Sequence, residues 1–306
     1  MDSSTKKMKI FILPVAEYLQ PKSQPFAYPS HNKDYGVEQD FLIWLNKNPG
    51  VLTQDPQNAD WHYLPVFWTR WFLNHNFGID GNGMQQLKTG VEHALKRDFK
   101  IFTVCQYDGG PQIPIPGLTS FLAARTEANQ GIDIPILCTP HKISPFPVAK
   151  KYIASFNGAL NTWPIREEMA NKLTRIENVK LGGYLPTRFW LRWLGYRTYN
   201  RIIRQSYISL APRGSSMNSF RFFEAMQMGV APCLIGEEDA RPFSKFLKWD
   251  EVSYYCQTVE DLSKLLTTLN YNEALQKGRL AQKFYYEHLY YQKWCPFVLK
   301  ELETLD

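Results

Sequence analysis

Short apolar runs of strand length alternate with helical patterns along most of the chain, and this alternation restricts the possible folds more than any other feature. Phe99–Gln106 is the clearest strand-like run, and it ends at the turn signal Asp108-Gly109-Gly110. Val37–Asn46 has apolar residues at helical spacing. Strands that alternate with helices are typical of parallel sheets, whose ligands bind beyond the carboxyl ends of the strands. The sequence therefore predicts an α/β protein with two Rossmann-like domains facing a central cleft.

A proline-rich segment, Cys138–Pro147, separates two series of predicted strands. The strands before it are Lys9–Val15, Trp61–Val66 and Phe99–Gln106. The strands after it are Tyr152–Phe156, Val179–Tyr184, Tyr207–Ala211, Val230–Ile235 and Val252–Cys256. We therefore predict a first domain over residues 1–147, a second domain over residues 148–280, and a C-terminal helix within residues 281–306 that returns to the first domain.

Charge and cysteine content narrow the class of protein. The formal net charge is +6, and Lys and Arg form only short clusters, whereas nucleic-acid-binding domains have denser basic stripes. We therefore expect no nucleic-acid partner. The five cysteines are an odd number without zinc-site spacing, which favours free thiols in a reducing compartment. No run of about 18 apolar residues occurs, so we expect a cytoplasmic protein without a signal peptide or a membrane-inserted segment.

The segment Ser206–Ile235 combines a strand, a loop of small residues, a helix and a second strand. Gly214 lets the backbone approach a ligand closely, and Ser219 is a favourable N-cap for the helix. The free N–H groups of a helix N-terminus attract anions, and Arg213 and Arg221 flank this one. Together these residues predict a diphosphate site.

Glu224 lies about one helical turn after Arg221, on a similar face of the same helix. A carboxylate at this position can accept hydrogen bonds from both hydroxyls of a ribose. The alternative is an exposed Arg221–Glu224 ion pair, a common surface feature that contributes little to stability.

The same segment resembles the signature of the exostosin-like glycosyltransferases, which form glycosyltransferase family 47. The residues that carry the resemblance are Ser206, Leu210, Pro212-Arg213-Gly214, Ser219, Arg221, Glu224-Ala225, Gly229, Pro232, Pro242-Phe243 and Trp249. Further elements of that family are similar to Thr53, Asp55-Pro56, Ala59-Asp60, Pro65-Val66-Phe67, Ser155-Phe156-Asn157-Gly158, Arg166 and Tyr199. The chain departs from the family at Ile208-Ser209, where the family has Phe-Cys.

The resemblance implies a GT-B type fold, inversion at the anomeric carbon and a nucleoside diphosphate sugar, usually UDP-linked, as the sugar donor. It assigns the nucleotide sugar to residues 148–280 and a glycan acceptor, either an oligosaccharide or the glycan of a glycoprotein, to the side of residues 1–147. Arg166 joins Arg213 and Arg221 as a cation for the diphosphate. The donor sugar stays open among xylose, galactose, glucuronic acid, arabinose and N-acetylglucosamine.

No cofactor and no metal are expected. GT-B enzymes generally do not need a metal ion, and the sequence contains no Asp-x-Asp. The nearest acidic run, Glu237-Glu238-Asp239, is predicted to be solvated charge.

An inverting transfer needs a base that takes the proton of the acceptor hydroxyl. Asp108, at the carboxyl end of a predicted buried strand, is the first candidate, and Glu17, after the first strand, is the second. His141 is a third candidate, whereas His62 lies within a strand and is expected to be packed. The alternative for Asp108 is a turn residue before two glycines. Aromatic residues at Trp61–Phe72, Trp190 and Trp193 are expected to be mostly packed, with one or two lining an acceptor groove.

Two other classes of protein compete with an enzyme of this family. A catalytically inactive GT-B-fold glycan- or nucleotide-binding protein would be expected to lack Arg213, Arg221 or Glu224, and all three are present. A dinucleotide-dependent oxidoreductase would need Gly-x-Gly-x-x-Gly after its first strand, where this chain has Ala16-Glu17-Tyr18.

Overall fold

The computed structural model describes residues 8–25, 36–76, 82–95, 99–138, 140–141, 143, 146–182 and 192–305, with only the backbone for 192–197. The chain divides into two compact units. The first contains Met1–Leu137 and Tyr291–Asp306, and the second contains Cys138–Tyr290.

The first unit contains a parallel sheet of five strands within its described residues, and these strands follow one another across the sheet in chain order. The strands are β1 (Ile10–Ile12), β2 (Trp61–Tyr63), β3 (Ile101–Cys105), β4 (Leu118–Leu122) and β5 (Ile132–Asp133). Helices of this unit are α1 (Val37–Lys47), α2 (Trp68–Asn74) and α3 (Gly83–Ala94). Apolar residues of α2 and α3, among them Trp68, Trp71 and Val91, pack with Cys105 of β3 in one buried cluster.

The second unit contains a parallel sheet in the order β10-β9-β8-β6-β7. Its strands are β6 (Tyr152–Phe156), β7 (Val179–Leu181), β8 (Ser206–Pro212), β9 (Ala231–Ile235) and β10 (Tyr254–Cys256). Its helices are α4 (Pro164–Leu173), α5 (Arg192–Arg204), α6 (Phe220–Gln227), α7 (Val259–Thr267) and α8 (Tyr271–Phe284). Numbered within the unit, this strand order is 2-1-3-4-5, one of the two common orders of doubly wound α/β sheets.

The last helix, α9 (Cys295–Glu303), belongs to the first unit. Trp294, just before it, is fully buried, and its ring stacks on Phe41 of α1 with 5.9 Å between centroids. Val298 and Leu302 of α9 are also fully buried. The C-terminal segment therefore completes the core around α1.

The α/β class with two parallel-sheet domains is confirmed, and a central cleft of the GT-B type stays a prediction. The units divide after Leu137, whereas the proline-rich segment led us to predict a boundary at residue 147. The reason is that this segment bonds to α6: Cys138 Sγ lies 3.5 Å from the Phe220 carbonyl oxygen, and the His141 N–H donates to Gln227. The C-terminal division falls before Tyr291 rather than at residue 281.

None of the helices in the described ranges combines the length and the hydropathy needed to cross a bilayer.

Candidate functional site

The strand order of the second unit reverses between β6 and β8, and ligands of open α/β sheets bind at such a switch point, beyond the carboxyl ends of the strands. Asn157-Gly158 follows β6, and Arg213-Gly214 follows β8. The helix α6, which starts after Ser219, comes from the loop after β8. The predicted diphosphate residues thus lie on the elements that border this crevice.

Arg166, from the first turn of α4, holds the end of β8 in place. Its Nε donates to the Arg213 carbonyl oxygen at 2.8 Å, and its Nη2 donates to the Pro212 carbonyl oxygen at 3.2 Å. Nη1 donates to the carbonyl oxygen of Ala159 at 3.1 Å. The side chain is buried, and the bonds to Arg213 and Pro212 satisfy buried carbonyl groups. Direct contact between Arg166 and a diphosphate stays a prediction. In the structure Arg166 instead cross-links backbone segments through their carbonyl oxygens.

Arg221, in the first turn of α6, is held at one nitrogen. Its Nε donates to the Asn157 carbonyl oxygen. A side chain at position 158 would collide with the guanidinium group, so Gly158 allows this close approach. Both Arg221 and Arg166 lie on the Phe156 ring, with 5.1 and 5.5 Å from Cζ to the ring centroid.

Two like charges therefore converge on one ring. Burial and the positive charge of Arg221 lower the pKa of Arg166 to about 10, a value at which the guanidinium stays protonated at neutral pH. Within the described part of the chain, neither Arg166 nor Arg221 forms an ion pair with a carboxylate. A bound anion would relieve this repulsion.

Arg213 is fully buried and is engaged differently. Its guanidinium lies over the Trp163 ring at 4.4 Å, and its Nη1 bonds to Glu237 at 2.8 Å. Partial burial raises the pKa of Glu237, but the hydrogen bond and the charge of Arg213 outweigh it and lower this pKa overall. The run Glu237-Glu238-Asp239 is exposed, as predicted, and two of its carboxylates also pair with buried arginines, since Asp239 lies 2.6 Å from Arg241.

The loop before α6 packs closely against Arg166, and the predicted close approach of its backbone to a ligand stays a prediction. A Cβ atom at Gly214 would lie 3.0 Å from Arg166 Nη2. Ser219 is the N-cap residue and is buried, but its side chain forms no capping hydrogen bond. Its own N–H donates to the Asn218 side chain at 3.0 Å.

Glu224 is buried in α6 and takes part in a polar cluster rather than in a surface ion pair with Arg221. The Tyr199 hydroxyl, from α5, donates to Glu224 Oε2. His141 Nε2 lies 3.3 Å from Glu224 Oε1. Burial and then the charge of Glu224 raise the pKa of Tyr199 well above its usual value, so its hydroxyl remains a donor at neutral pH. The sequence pointed to Tyr199 only through the family resemblance, and to His141 as a base. In the structure Tyr199 bonds to Glu224, and His141 lies beside it.

The base candidates Asp108 and Glu17 both lie in the first unit. Asp108 is half-buried in a turn after β3, where Gly110 has φ +65° and the Asp108 carbonyl oxygen accepts from Asn129 at 2.7 Å. Glu17 is exposed and forms an ion pair with Lys22 at 3.2 Å. A base role for either residue stays a prediction. His141, the third candidate, belongs to the second unit, and a base role for it also stays a prediction.

The sequence patterns did not indicate that Glu38 is a buried carboxylate. Its Oε1 accepts from Thr69 Oγ1 at 2.8 Å, from Thr69 N at 3.2 Å and from Gln106 N at 3.1 Å. Burial raises the pKa of Glu38. The available signal was its position on α1, three residues before the core residue Phe41, where a charged residue faces the apolar side.

The remaining aromatic and histidine predictions concern the first unit, Trp190 and Trp193. His62 is buried and stacks on Phe99 with 3.8 Å between ring centroids, as expected for a packed histidine. Trp61, Trp68, Trp71 and Phe72 are also core residues. Trp190 and the side chain of Trp193 lie outside the described residues. No group of three metal-ligating side chains occurs among the residues whose positions the structure describes.

More than half of the chain is similar to a known family of protein domains. Residues 112–271, which are more than half of the chain, match the Exostosin GT47 domain. The chain belongs to the exostosin GT47 family. The matched range of this GT47 chain contains Arg166, Arg213, Arg221 and Glu224, the residues that border the switch point.

Individual relatives cover less of the GT47 chain. Exostosin-1 of Drosophila melanogaster is 27% identical over 125 residues, which are 36% of this chain and 16% of that protein. Exostosin-1a of Danio rerio is 26% identical over 146 residues, which are 40% of this chain and 20% of that protein. The matched part thus spans a fifth or less of these relatives. A crystal structure of TarM is similar with a TM-score of 0.42 and 11% identity, covering 86% of this chain and 57% of TarM.

Proposed function

We propose that this GT47 protein is an inverting glycosyltransferase that moves a sugar from a nucleoside diphosphate sugar, UDP-linked, to a hydroxyl of a glycan. The observation that carries the proposal is the pair Arg166 and Arg221, two cations on one ring at the switch point with backbone carbonyls as their hydrogen-bond acceptors. A diphosphate is the anion that this site fits, because the N-terminus of α6 lies beside Arg221.

In the proposed reaction the acceptor oxygen attacks the anomeric carbon, and the bond from that carbon to the diphosphate breaks on the opposite face. Negative charge grows on the departing diphosphate, and the Arg221 guanidinium stabilises it more in the transition state than in the ground state. Arg213 and Arg166 hold the loop and the strand end that carry the site. Glu224, positioned by Tyr199, binds the ribose hydroxyls.

The test is binding of UDP, measured as a rise in melting temperature, with and without EDTA. A ligand that prefers the folded state stabilises it, and the proposal expects the same shift without divalent metal. Arg221→Ala should remove this shift and the release of UDP from the UDP-sugar, while Arg201→Ala, an exposed change on α5, should leave both intact. A shift of equal size with unrelated nucleotides, or none with UDP, would contradict the proposal. UDP binding without release of UDP from any UDP-sugar would favour the inactive binding protein.

Asp108 is the proposed base, and its assignment has a separate test. Asp108→Asn keeps the shape and the turn but cannot take a proton. We expect a fall in transfer rate of 100-fold or more, on the order of the usual effect of general bases, with UDP affinity unchanged. A variant that retains its rate would move the assignment to Glu17.

The proposed location is the cytoplasm. All five cysteines are free and buried, as expected for a protein in a reducing compartment. Mass spectrometry of the native protein should find five unmodified thiols.

A further inference from the structure

Asn157 directly follows β6, on one side of the switch point. Its side chain is 7% exposed, and its Oδ1 atom is buried without a hydrogen-bond partner in the part of the chain that the structure describes. Its carbonyl oxygen is already occupied by Arg221 Nε. The residue therefore has an unused side-chain acceptor and contacts, through its backbone, the cation that binds the diphosphate in the proposed function.

A buried acceptor without a partner is unfavourable, so a ligand that supplies a donor gains affinity there. Phosphate oxygens at neutral pH are acceptors and cannot fill this role. The complementary ligand atom is an O–H or an N–H group. The chemistry of Asn157 thus differs from that of Arg221, although the two residues are in contact.

Two groups that carry hydroxyls flank the diphosphate of a nucleotide sugar: the ribose and the transferred sugar. Glu224 lies one turn further along α6 than Arg221 and is held by Tyr199, which suits the ribose. Asn157 approaches Arg221 from a different element, the end of β6. The transferred sugar is the remaining group with hydroxyls beside the diphosphate.

We propose that Asn157 accepts a hydrogen bond from a hydroxyl of the transferred sugar and so contributes to the choice of sugar donor. This inference rests on the proposed function and adds a residue that the family pattern leaves variable, since Asn157 occupies the x of the Phe-x-Gly element. Asn157 is then a specificity residue for the sugar and not for the nucleotide.

The experiment compares binding of UDP with binding of UDP-xylose, UDP-galactose, UDP-glucuronic acid, UDP-arabinose and UDP-N-acetylglucosamine by calorimetry. For Asn157→Ala we expect UDP affinity within about twofold of the wild type. The affinity for the UDP-sugar that the wild type binds best should fall about five- to tenfold, the usual effect of one hydrogen bond. Asn171→Ala, an exposed asparagine on α4 of the same unit, should change neither value.

Equal loss of UDP and UDP-sugar affinity in Asn157→Ala would overturn the inference, because Asn157 would then contact the nucleotide. An unchanged affinity for every UDP-sugar would overturn it as well. If the wild type binds UDP-sugars no better than unrelated nucleotides, the proposed function fails first, and the two failures are thereby distinguished. Asn157→Ser, which is shorter but polar, should show the same selective loss and serves where the alanine variant does not fold.

Discussion

Arg166 and Arg221 differ in what their guanidinium groups contact, so we expect their substitutions to have different effects. Arg166→Ala removes the donor to two buried carbonyl oxygens, those of Pro212 and Arg213, and should lower the free energy of unfolding by about 3 kcal/mol, measured by urea denaturation. Arg221→Ala should lower the free energy of unfolding less than Arg166→Ala does, but it should weaken UDP binding more. Arg175→Ala, exposed after α4, should stay within about 0.5 kcal/mol of the wild type. Full stability with lost UDP binding in Arg166→Ala would instead support direct contact with the diphosphate.

Asp40 gives the first unit a pH-dependent stability. Burial and then the negative charge of Glu38 raise the pKa of Asp40 from 3.8 to about 6. Because the folded state holds this proton more tightly than the unfolded state, the stability contribution is complete below pH 4 and is lost as the pH rises to about 6. As the pH rises from 4 to 6, the free energy of unfolding of Asp40→Asn should therefore increase relative to that of the wild type, by on the order of 2 kcal/mol. Melting temperatures of both proteins between pH 4 and pH 8 test this, and a constant difference would contradict it.

Gly278 shows how the packing of a helix can outweigh helix propensity. Alanine is normally about 1 kcal/mol better than glycine inside a helix. A Cβ atom at position 278 of α8 would lie 2.6 Å from the Gly229 carbonyl oxygen and 3.0 Å from the Ala231 nitrogen, and neither backbone atom can move easily. We expect Gly278→Ala to destabilise the protein by about 1–3 kcal/mol, the usual effect of overpacking. Its control is Gln276→Ala, on the exposed side of α8. A rise in the melting temperature of Gly278→Ala would show that α8 can shift away from β9.

The strands of the second unit lie close to their predicted positions, whereas the first unit contains two strands that the pattern did not predict. Leu118–Leu122 and Ile132–Asp133 follow the glycine- and proline-rich run after Cys105, and β4 pairs with β3 across this loop. The helix Trp68–Asn74 was also missed, because its seven residues make only about two turns, too few for a helical period to be detected. Sequence patterns detect periodicity, and these elements are specified by neighbours distant in the chain.

The sequence could predict which residues border the candidate site, but not which groups those residues contact. The family resemblance indicated Arg166, Arg213, Arg221 and Glu224. It could not indicate that Arg166 donates to backbone carbonyls, because every residue has a carbonyl group. Nor could it indicate that Tyr199 reaches Glu224, 25 residues along the chain. The unused acceptor of Asn157 is visible only once the surrounding side chains are in place.

The division of the protein into two units predicts which properties change independently. Trp294 is fully buried in the first unit, so Trp294→Ala should lower the stability of that unit by about 3–5 kcal/mol. UDP should still stabilise the variant, because every residue of the proposed diphosphate site lies in the second unit. Fluorimetric melting with and without UDP measures both effects, with Lys293→Ala as the exposed control. Loss of the UDP shift in Trp294→Ala would show that the two units are coupled.

The C-terminal segment also affects how the protein is made. Chains emerge from the ribosome N-terminus first, at about 5–20 residues per second, and domains usually fold in that order. Here the first unit cannot complete its core until Tyr291–Asp306 has been synthesised, whereas the second unit is continuous from Cys138 to Tyr290. During synthesis Phe41 therefore lacks the indole of Trp294 that later covers it. The unit that is translated first is completed last, and until then its apolar face is the surface that a chaperone would have to shield.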